Sequence, residues 1–177
     1  MRTLLLLRHG KSSWDNPDLC DFERPLNQRG KASVPLVGGF INQQVLKPDI
    51  ILCSAARRTR QTLKLLRNHV DFNCEIQFLD ELYLISEKNL LQILRELPQL
   101  YKTVLVIGHN PTMHTLSMNF TANADPSDMS LLTQKFPTCG LAVLEFHIQS
   151  WVDICFQSAL LKHFTTPKML TNTDQVV

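Results

Sequence analysis

The sequence predicts an α/β fold of three layers, in which a mostly parallel central sheet is flanked by helices. Four short apolar runs are continuous rather than alternating, which is typical of strands buried on both faces. Between them lie segments whose apolar residues recur every three or four positions, the spacing of helices that pack on one side. At 177 residues, this alternation indicates one domain over residues 1–170, with the polar stretch 171–177 as a frayed end.

The strands of the predicted sheet are distributed along the whole chain. The four apolar runs are Thr3–Leu7, Ile50–Cys53, Ile76–Leu79 and Thr103–Ile107. Two later strands are expected at Leu141–Ile148 and Trp151–Leu161, around a turn at 149–150. The polar stretch Ala122–Ser130 contains Pro126, and we expect a loop there.

Three helices are expected to follow the strands. Ser54 is a suitable N-cap for a helix over Ala55–Val70, and Ser86 for a second helix that Pro98 ends. The pair Asn110–Pro111 has the residue types that open a third helix.

The segment Asn27–Gln44 gives conflicting signals. Its apolar residues permit a helix, but Gly30, Pro35, Gly38 and Gly39 oppose one. We therefore expect a helix that is kinked or shifted at the proline.

Composition excludes several classes of function. The formal net charge is only +2, and the densest basic cluster, Arg57, Arg58 and Arg60, is too small to follow a nucleic-acid backbone. No apolar stretch reaches the length of a membrane span, and Leu4–Leu7 is too short for a signal-peptide core. The five cysteines are odd in number and lack a CxxC spacing, so free core thiols in a cytoplasmic protein are expected.

Chemically versatile residues follow every strand of the predicted parallel sheet. Ligands of such sheets bind beyond the carboxyl ends of the strands, so these residues should share one edge. They are Arg8, His9 and Gly10, then Ser54 with the arginine cluster, then Asp80 and Glu81, and finally Gly108, His109 and Asn110.

Phosphoryl transfer is the chemistry that suits this set. Guanidinium groups bind phosphate oxygens through paired, charge-assisted hydrogen bonds. A neutral imidazole can attack phosphorus and form a covalent intermediate. Gly10 would let the backbone pass close to substrate, and the helices after Ser54 and His109 would add N–H donors at their N-termini.

The segment LLLLRHGKSSW resembles the opening signature of the histidine phosphatase superfamily, which contains phosphoglycerate mutases and acid phosphatases. Four further pieces occur in the family's order: DFERPLNQRG, DIILCSAARRTRQT, DELY and VLVIGHNP. Within the superfamily, the chain is most similar to the short SixA-type phosphohistidine phosphatases. The resemblance implies a phosphoglycerate mutase-like sheet, in agreement with the fold predicted from the residues.

The resemblance also implies roles for single residues. His9 would be the nucleophile that becomes phosphohistidine, and Arg8 would bind the phosphate. In SAARRTRQT the matching arginine lies three residues before the QT pair, which selects Arg58 rather than Arg57. His109 would contact a phosphate oxygen and stabilise the transition state.

The proton donor departs from the family pattern, because the Gly- and Glu-rich stretch of mutase-like members is missing. Asp80 and Glu81 are the candidate acids, and burial would have to raise the pKa of either one. Gly10, Arg24 and Asn110 are expected to border the pocket and bind substrate. No metal site and no cofactor are expected.

We therefore expect a phosphatase that hydrolyses a phosphomonoester or phosphoramidate through His9, with a SixA-like preference for protein phosphohistidine. Its partner would be a phosphorylated protein or a small phosphorylated substrate, with no nucleic acid and no membrane. A nonspecific small-molecule phosphatase, a mutase-like enzyme and a non-catalytic phosphoprotein-binding module are the alternatives.

Overall fold

The computed structural model describes residues 1–173 and contains a seven-stranded sheet in the order β3-β2-β4-β1-β6-β7-β5. The strands are β1 (Arg2–Arg8), β2 (Ile50–Ser54), β3 (Glu75–Leu79), β4 (Thr103–Gly108), β5 (Thr121–Ala124), β6 (Leu141–Phe146) and β7 (Ala159–Thr165). Only β6 runs against the others, so the predicted mostly parallel sheet is confirmed.

β1 lies at the centre of this sheet. It pairs in parallel with β4, where Leu7 faces Ile107, and antiparallel with β6, where Leu7 faces Leu141. Leu4–Leu7 are completely buried, as expected for a strand covered on both faces. The residues that follow β1 and β4 are therefore held side by side at one edge of the sheet.

Six helices cover the two faces. They are α1 (Gln28–Gln43), α2 (Arg57–Leu66), α3 (Glu87–Arg95), α4 (Thr112–Phe120), α5 (Pro126–Gln134) and α6 (Pro167–Thr173). One apolar core forms between the sheet and α1 and α2, with Leu170 of α6 at its margin, and a second forms between the sheet and α3, α4 and α5. The three predicted layers are present.

α1 is longer and more regular than its sequence suggests. It continues through Pro35, because Val34, Val37 and Ile41 are completely buried against the sheet and this burial outweighs the poor helix formers. Asn27 caps it, with its side chain accepting a hydrogen bond from the Gly30 amide at 2.8 Å.

Two of the predicted helix starts are displaced. Ser54 is the last residue of β2 rather than an N-cap, and α2 begins three residues later at Arg57. Pro111 takes the N-cap position of α4 after a cis peptide bond from Asn110. Ser86 does cap α3, accepting a hydrogen bond from the Asn89 amide at 3.2 Å.

Two predictions in the second half of the chain are wrong. The expected loop Ala122–Ser130 contains most of β5 and the start of α5, because Asp125 caps that helix and Pro126 occupies its first turn. The expected strand Trp151–Leu161 begins instead as a 3₁₀ helix over Trp151–Asp153, and β7 starts only at Ala159.

The five cysteines are free, as expected, but they are not all in the core. Cys53 and Cys139 are buried, and burial raises the pKa of each thiol to about 12. Cys20 and Cys155 are exposed, which corrects the expectation of core thiols. Across residues 1–173, the helices are too short or too polar to span a bilayer.

Candidate active site

His9 follows β1 directly and is almost completely buried, at 7% exposure. Its amide donates to the Gly108 carbonyl at 3.2 Å, and its own carbonyl accepts from the Cys139 amide at 3.0 Å. The ring nitrogen Nδ1 lies 2.7 Å from the Gly10 carbonyl. A carbonyl only accepts, so Nδ1 carries the proton and Nε2 presents its lone pair.

The side chain of Arg58 reaches both pocket histidines from the first turn of α2. Its Nε–H donates to His9 Nε2 at 3.2 Å, and Nη2 lies 3.3 Å from His109 Nδ1. The side chain is 5% exposed. These contacts place a positive charge beside the lone pair of His9, where a phosphoryl group would have to lie.

His109 follows β4 and faces His9, with the two ring centres 5.0 Å apart. Because Arg58 can only donate, Nδ1 of His109 accepts, and its Nε2–H therefore donates to Ser54 Oγ at 2.8 Å. The ring of Tyr83 packs edge-on against that of His109 at 5.4 Å.

Both histidines are held neutral. Burial, together with the charge of Arg58, lowers the pKa of His9 and of His109 to about 3. The hydrogen bond to Gly10 opposes this shift in His9 but is too weak to reverse it. A neutral imidazole whose Nε2 carries no proton is the form that can act as a nucleophile toward phosphorus.

Asp21 is the carboxylate that binds the pocket arginines. It accepts from Arg58 Nη2 at 2.9 Å, from Arg24 Nη1 at 2.7 Å and from the Tyr83 hydroxyl at 2.6 Å. Burial alone would raise the pKa of Asp21, but Tyr83 and the two arginines outweigh it and lower the pKa to about 2. Asp21 is therefore ionised at neutral pH and cannot serve as a proton donor.

Arg8 and Asn110 share one anchor, the backbone carbonyl of Phe136. Arg8 Nη1 donates to it at 2.8 Å, and Asn110 Nδ2 at 3.0 Å. Arg8 Nε and Asn110 Oδ1 are buried without a hydrogen-bond partner in the described part of the chain. Burial and the neighbouring Arg58 lower the pKa of Arg8. The pocket thus contains buried hydrogen-bonding capacity that the protein itself does not use.

Gly10 is packed against neighbouring residues below the pocket. Its amide donates to Thr62 Oγ1 at 3.0 Å. A Cβ atom here would lie 3.1 Å from the Gly30 carbonyl oxygen and 3.2 Å from Leu26 Cδ2. The glycine therefore allows the segment that follows β1 to pack closely against the start of α1, and its contact with substrate stays a prediction.

Arg24 is a positioning residue in this structure. It is 5% exposed and donates through Nε to the Ser13 carbonyl at 2.9 Å and through Nη2 to Ser12 Oγ at 2.7 Å, besides its bond to Asp21. Its guanidinium stacks on the ring of Trp14, which is 72% exposed. It holds the loop before α1 and orients Asp21, while a direct substrate contact stays a prediction.

Asp80 and Glu81 lie in a 3₁₀ turn after β3, and both are exposed. In the described residues, neither carboxylate forms a hydrogen bond or an ion pair with the pocket arginines and histidines. The burial expected of a catalytic acid is therefore missing at both residues, because both are exposed. Tyr83, which ends the same turn, does reach the pocket through Asp21 and His109.

Residues 4–85, which carry His9, Arg24 and Arg58, match the model of the histidine phosphatase superfamily (branch 1). An uncharacterized protein of Mycobacterium tuberculosis is 31% identical over 165 residues, which cover 92% of this chain and all of that protein. The chain belongs to the histidine phosphatase superfamily.

Solved structures agree with this membership. SixA proteins of Agrobacterium tumefaciens and Nakamurella multipartitia, each assigned as a phosphohistidine phosphatase, are both 29% identical to the phosphatase described here. Their TM-scores are 0.76 and 0.79. Each comparison covers 94% of this chain, with 98% and 96% of the respective neighbour. The phosphoglycerate mutase-like fold and a phosphatase with a histidine nucleophile are therefore confirmed.

The structure brings Arg8, His9, Arg58 and His109 together, and it adds two residues, Asp21 and Tyr83, that sequence reasoning missed. Asp21 and Tyr83 fix the orientation of Arg58, and Ser54, which was expected at this edge of the sheet, accepts a hydrogen bond from His109. Asp21 and Tyr83 belong to the motif pieces DFERPL and DELY, so the signal was present but was assigned to their neighbours.

His114, in α4 beyond His109, is half-buried, with Nε2 2.8 Å from the Leu132 carbonyl. Over residues 1–173, His, Cys, Asp and Glu side chains form no group of three that could hold a metal ion.

Proposed function

We propose that this phosphatase hydrolyses protein phosphohistidine through a covalent phosphohistidine at His9. The observation that carries the proposal is the fixed tautomer of His9. Its Nδ1–H is bound to the Gly10 carbonyl, so Nε2 presents a lone pair between Arg58 and His109.

The reaction has two steps. In the first, Nε2 of His9 attacks phosphorus, the new N–P bond forms, and the leaving group departs with the electron pair of the broken bond. The hydrogen bond that Arg58 Nε–H donates to Nε2 in the free enzyme changes its acceptor to a phosphoryl oxygen. In the second step, water attacks phosphorus, the electron pair of the N–P bond returns to Nε2, and the proton lost by the water goes to the released phosphate or to solvent.

Arg8 and Arg58 would stabilise the charge that develops on the phosphoryl oxygens. Arg8 has an unpartnered Nε–H, and Arg58 has its donors already directed at both imidazoles. Asp21 already holds the Arg58 guanidinium in place, so only the acceptors of these donors have to change during the reaction, and donors positioned in advance are the main source of electrostatic catalysis.

The proposed substrate preference follows from the state of the side chains that could donate a proton to the leaving group. Asp21 is ionised, both histidines are neutral, and Asp80 and Glu81 are exposed. An alkoxide leaving group requires a strong proton donor, whereas phosphohistidine is a reactive phosphoramidate whose imidazole is readily protonated by solvent. The SixA proteins with the same fold, at 29% identity, support the same preference.

Rapid-quench labelling tests the proposal. Wild-type protein mixed with a ³²P-phosphohistidine peptide should carry acid-labile, base-stable label on His9, and the H9A variant should carry none and lose several orders of magnitude in turnover. H9A should keep the wild-type circular dichroism spectrum. Full turnover without any acid-labile label would disprove the covalent mechanism, and a higher kcat/KM for a sugar phosphate would disprove the preference.

A further inference from the structure

The outer face of α2 carries four cations in one row. Arg57, Arg60, Lys64 and Arg67 are all exposed and follow each other at intervals of three, four and three residues. Residues three and four apart are neighbours on a helix surface, so the four side chains form a continuous stripe. We call these four residues the α2 stripe.

The α2 stripe weakens the helix that carries it. Like charges three or four residues apart repel each other, and Arg57 and Arg60 place positive charge at the helix end where the backbone dipole is already positive. α2 contains no acidic residue. In the described residues, none of the four cations forms an ion pair, and Arg57 reaches only the Glu23 carbonyl at 3.4 Å.

An aromatic side chain lies beside the stripe. Phe78 of β3, the edge strand of the sheet, is 52% exposed, and the guanidinium of Arg60 lies 5.5 Å from its ring centre. Phe78 lines two adjacent hollows together with Arg60 and Lys64. Glu23 is the acidic residue that lines this surface, at the end nearest the pocket. An exposed ring among unpaired arginines is typical of a protein-binding surface.

The stripe begins at the active site. Arg57 precedes Arg58, whose guanidinium contacts both catalytic imidazoles. With a rise of 1.5 Å per residue, the stripe extends from there for about 15 Å along the surface. A macromolecule that presents a phosphorylated side chain to His9 has to lie over some part of the rim, and α2 is one wall of that rim.

We infer that the α2 stripe and Phe78 dock an acidic surface of the phosphorylated partner protein. This inference rests on the proposed function and specifies its substrate: a phosphohistidine flanked by carboxylates on the same protein face. Charge complementarity identifies the partner, since the stripe has four cations and lacks internal counter-charges. The exposed ring of Phe78 and the short length of the stripe favour a protein over a nucleic acid, whose backbone calls for a longer basic track.

Two matched charge reversals test the inference. R60E/K64E/R67E changes the stripe while leaving Arg57, next to the pocket, in place. K47E/K102E/K162E changes three exposed lysines: two precede β2 and β4 at the opposite edge of the sheet, and one lies in β7. Both variants alter the net charge by the same amount. The probes are synthetic phosphohistidine peptides with Glu-rich or neutral flanks, and free phosphohistidine as a substrate without flanks.

The expected result is selective. The stripe variant should lose at least tenfold in kcat/KM on the Glu-rich peptide and little on the neutral peptide or free phosphohistidine, and its rate should no longer fall with added salt. The control variant should behave as wild type on all three. Equal losses on all substrates, wild-type rates of the stripe variant on the Glu-rich peptide, or tighter binding of a single-stranded oligonucleotide than of that peptide would overturn the inference.

A binding measurement separates this inference from the proposed function. If wild-type protein hydrolyses no phosphohistidine substrate, the proposed function fails. Fluorescence anisotropy then measures the Kd of the Glu-rich phosphopeptide for H9A protein, which tests docking independently of catalysis. An at least tenfold rise in Kd caused by R60E/K64E/R67E supports the docking surface, and an unchanged Kd rejects it.

Discussion

Adjacent arginines at the start of α2 have different surroundings. Arg58 is buried against His9 and His109, whereas Arg57 is exposed. Neighbouring helical residues point about 100° apart, so only one of the two can face the pocket. The sequence motif points to Arg58, the arginine that the structure places in the pocket, but it could not indicate that Asp21 binds this guanidinium, because that contact joins residues 37 positions apart.

We predict that Arg58→Ala loses far more activity than Arg57→Ala on free phosphohistidine, a substrate that does not extend over α2. Removal of a fixed donor to the transition state should cost about 2–4 kcal/mol, or roughly 30- to 1,000-fold in kcat/KM. Steady-state kinetics of the two variants measure this difference. A larger loss at Arg57 would show that the motif alignment is wrong by one residue.

The two pocket imidazoles should resist protonation in mild acid. Because burial and Arg58 lower the pKa of His9 and His109 to about 3, both remain neutral at pH 5. An imidazole with the ordinary pKa of about 6.5 would be about 97% protonated there.

Long-range ¹⁵N–¹H NMR spectra between pH 7 and pH 5 should therefore show unchanged neutral tautomers. His9 should carry its proton on Nδ1 and His109 on Nε2. The urea-unfolded protein is the control, in which the same residues should titrate normally. Protonation of either folded-state ring above pH 5 would contradict the proposed burial and charge balance.

Two of the three glycines in helix α1, Gly30 and Gly39, have opposite roles. A Cβ on Gly30 would lie 2.2 Å from the Lys11 carbonyl oxygen and 2.8 Å from the Lys11 amide nitrogen, both rigid backbone atoms. A Cβ on Gly39 would meet nothing within 4 Å. Gly30 thus permits α1 to approach the loop that directly follows His9.

We predict opposite effects of the same substitution at these two sites. Gly30→Ala should lower the free energy of unfolding by about 2 kcal/mol or more and reduce activity, because Lys11 and its neighbour Gly10 must shift. Gly39→Ala should raise it by about 0.5–1 kcal/mol, since alanine favours a helix over glycine. Urea denaturation measures both. Equal effects of the two changes would show that the close approach at Lys11 is not maintained in solution.

The 3₁₀ turn after β3 presents Asp80 and Glu81 to solvent. If no strong acid is needed, Asp80→Asn and Glu81→Gln should each change kcat/KM on a phosphohistidine peptide by less than about threefold. If one of these carboxylates protonates an alkoxide leaving group, its variant should instead show a lower kcat/KM on an alkyl phosphate. A variant that loses both activities equally would identify its carboxylate as a general catalytic acid.

Sequence reasoning predicted elements best where one signal dominated. The continuous runs of β1, β2 and β4 and the Ser86 cap of α3 were clear. The start of α5 was missed because Asp125 and Pro126 are also common in loops, and only the packing of Leu132 into the core distinguishes a helix there. Local signals are ambiguous wherever tertiary burial decides the outcome.

For the whole molecule, the sequence predicted the layers and the composition of the pocket but not the strand order. Alternation of strands and helices implies a parallel sheet, yet nothing local indicates that β1 pairs with β4 and β6. The motif residues follow the carboxyl ends of the strands whatever the strand order is. Arg8, His9, Arg58 and His109 could therefore be assigned to one pocket before the order of the strands was known. Positioning groups such as the Phe136 carbonyl depend on the order, because the segment that contains it leads into β6.

The central place of β1 has a consequence for synthesis on the ribosome. His9 is translated more than 130 residues before β6, yet the Cys139 amide holds the His9 carbonyl and β6 covers one side of β1. A growing chain therefore contains His9 early but cannot complete the pocket until β6 has emerged. Until then Leu4–Leu7 form a strand with an unpaired edge, which is a site for self-association. A premature stop before Leu141 should yield an aggregating fragment rather than a weakened enzyme.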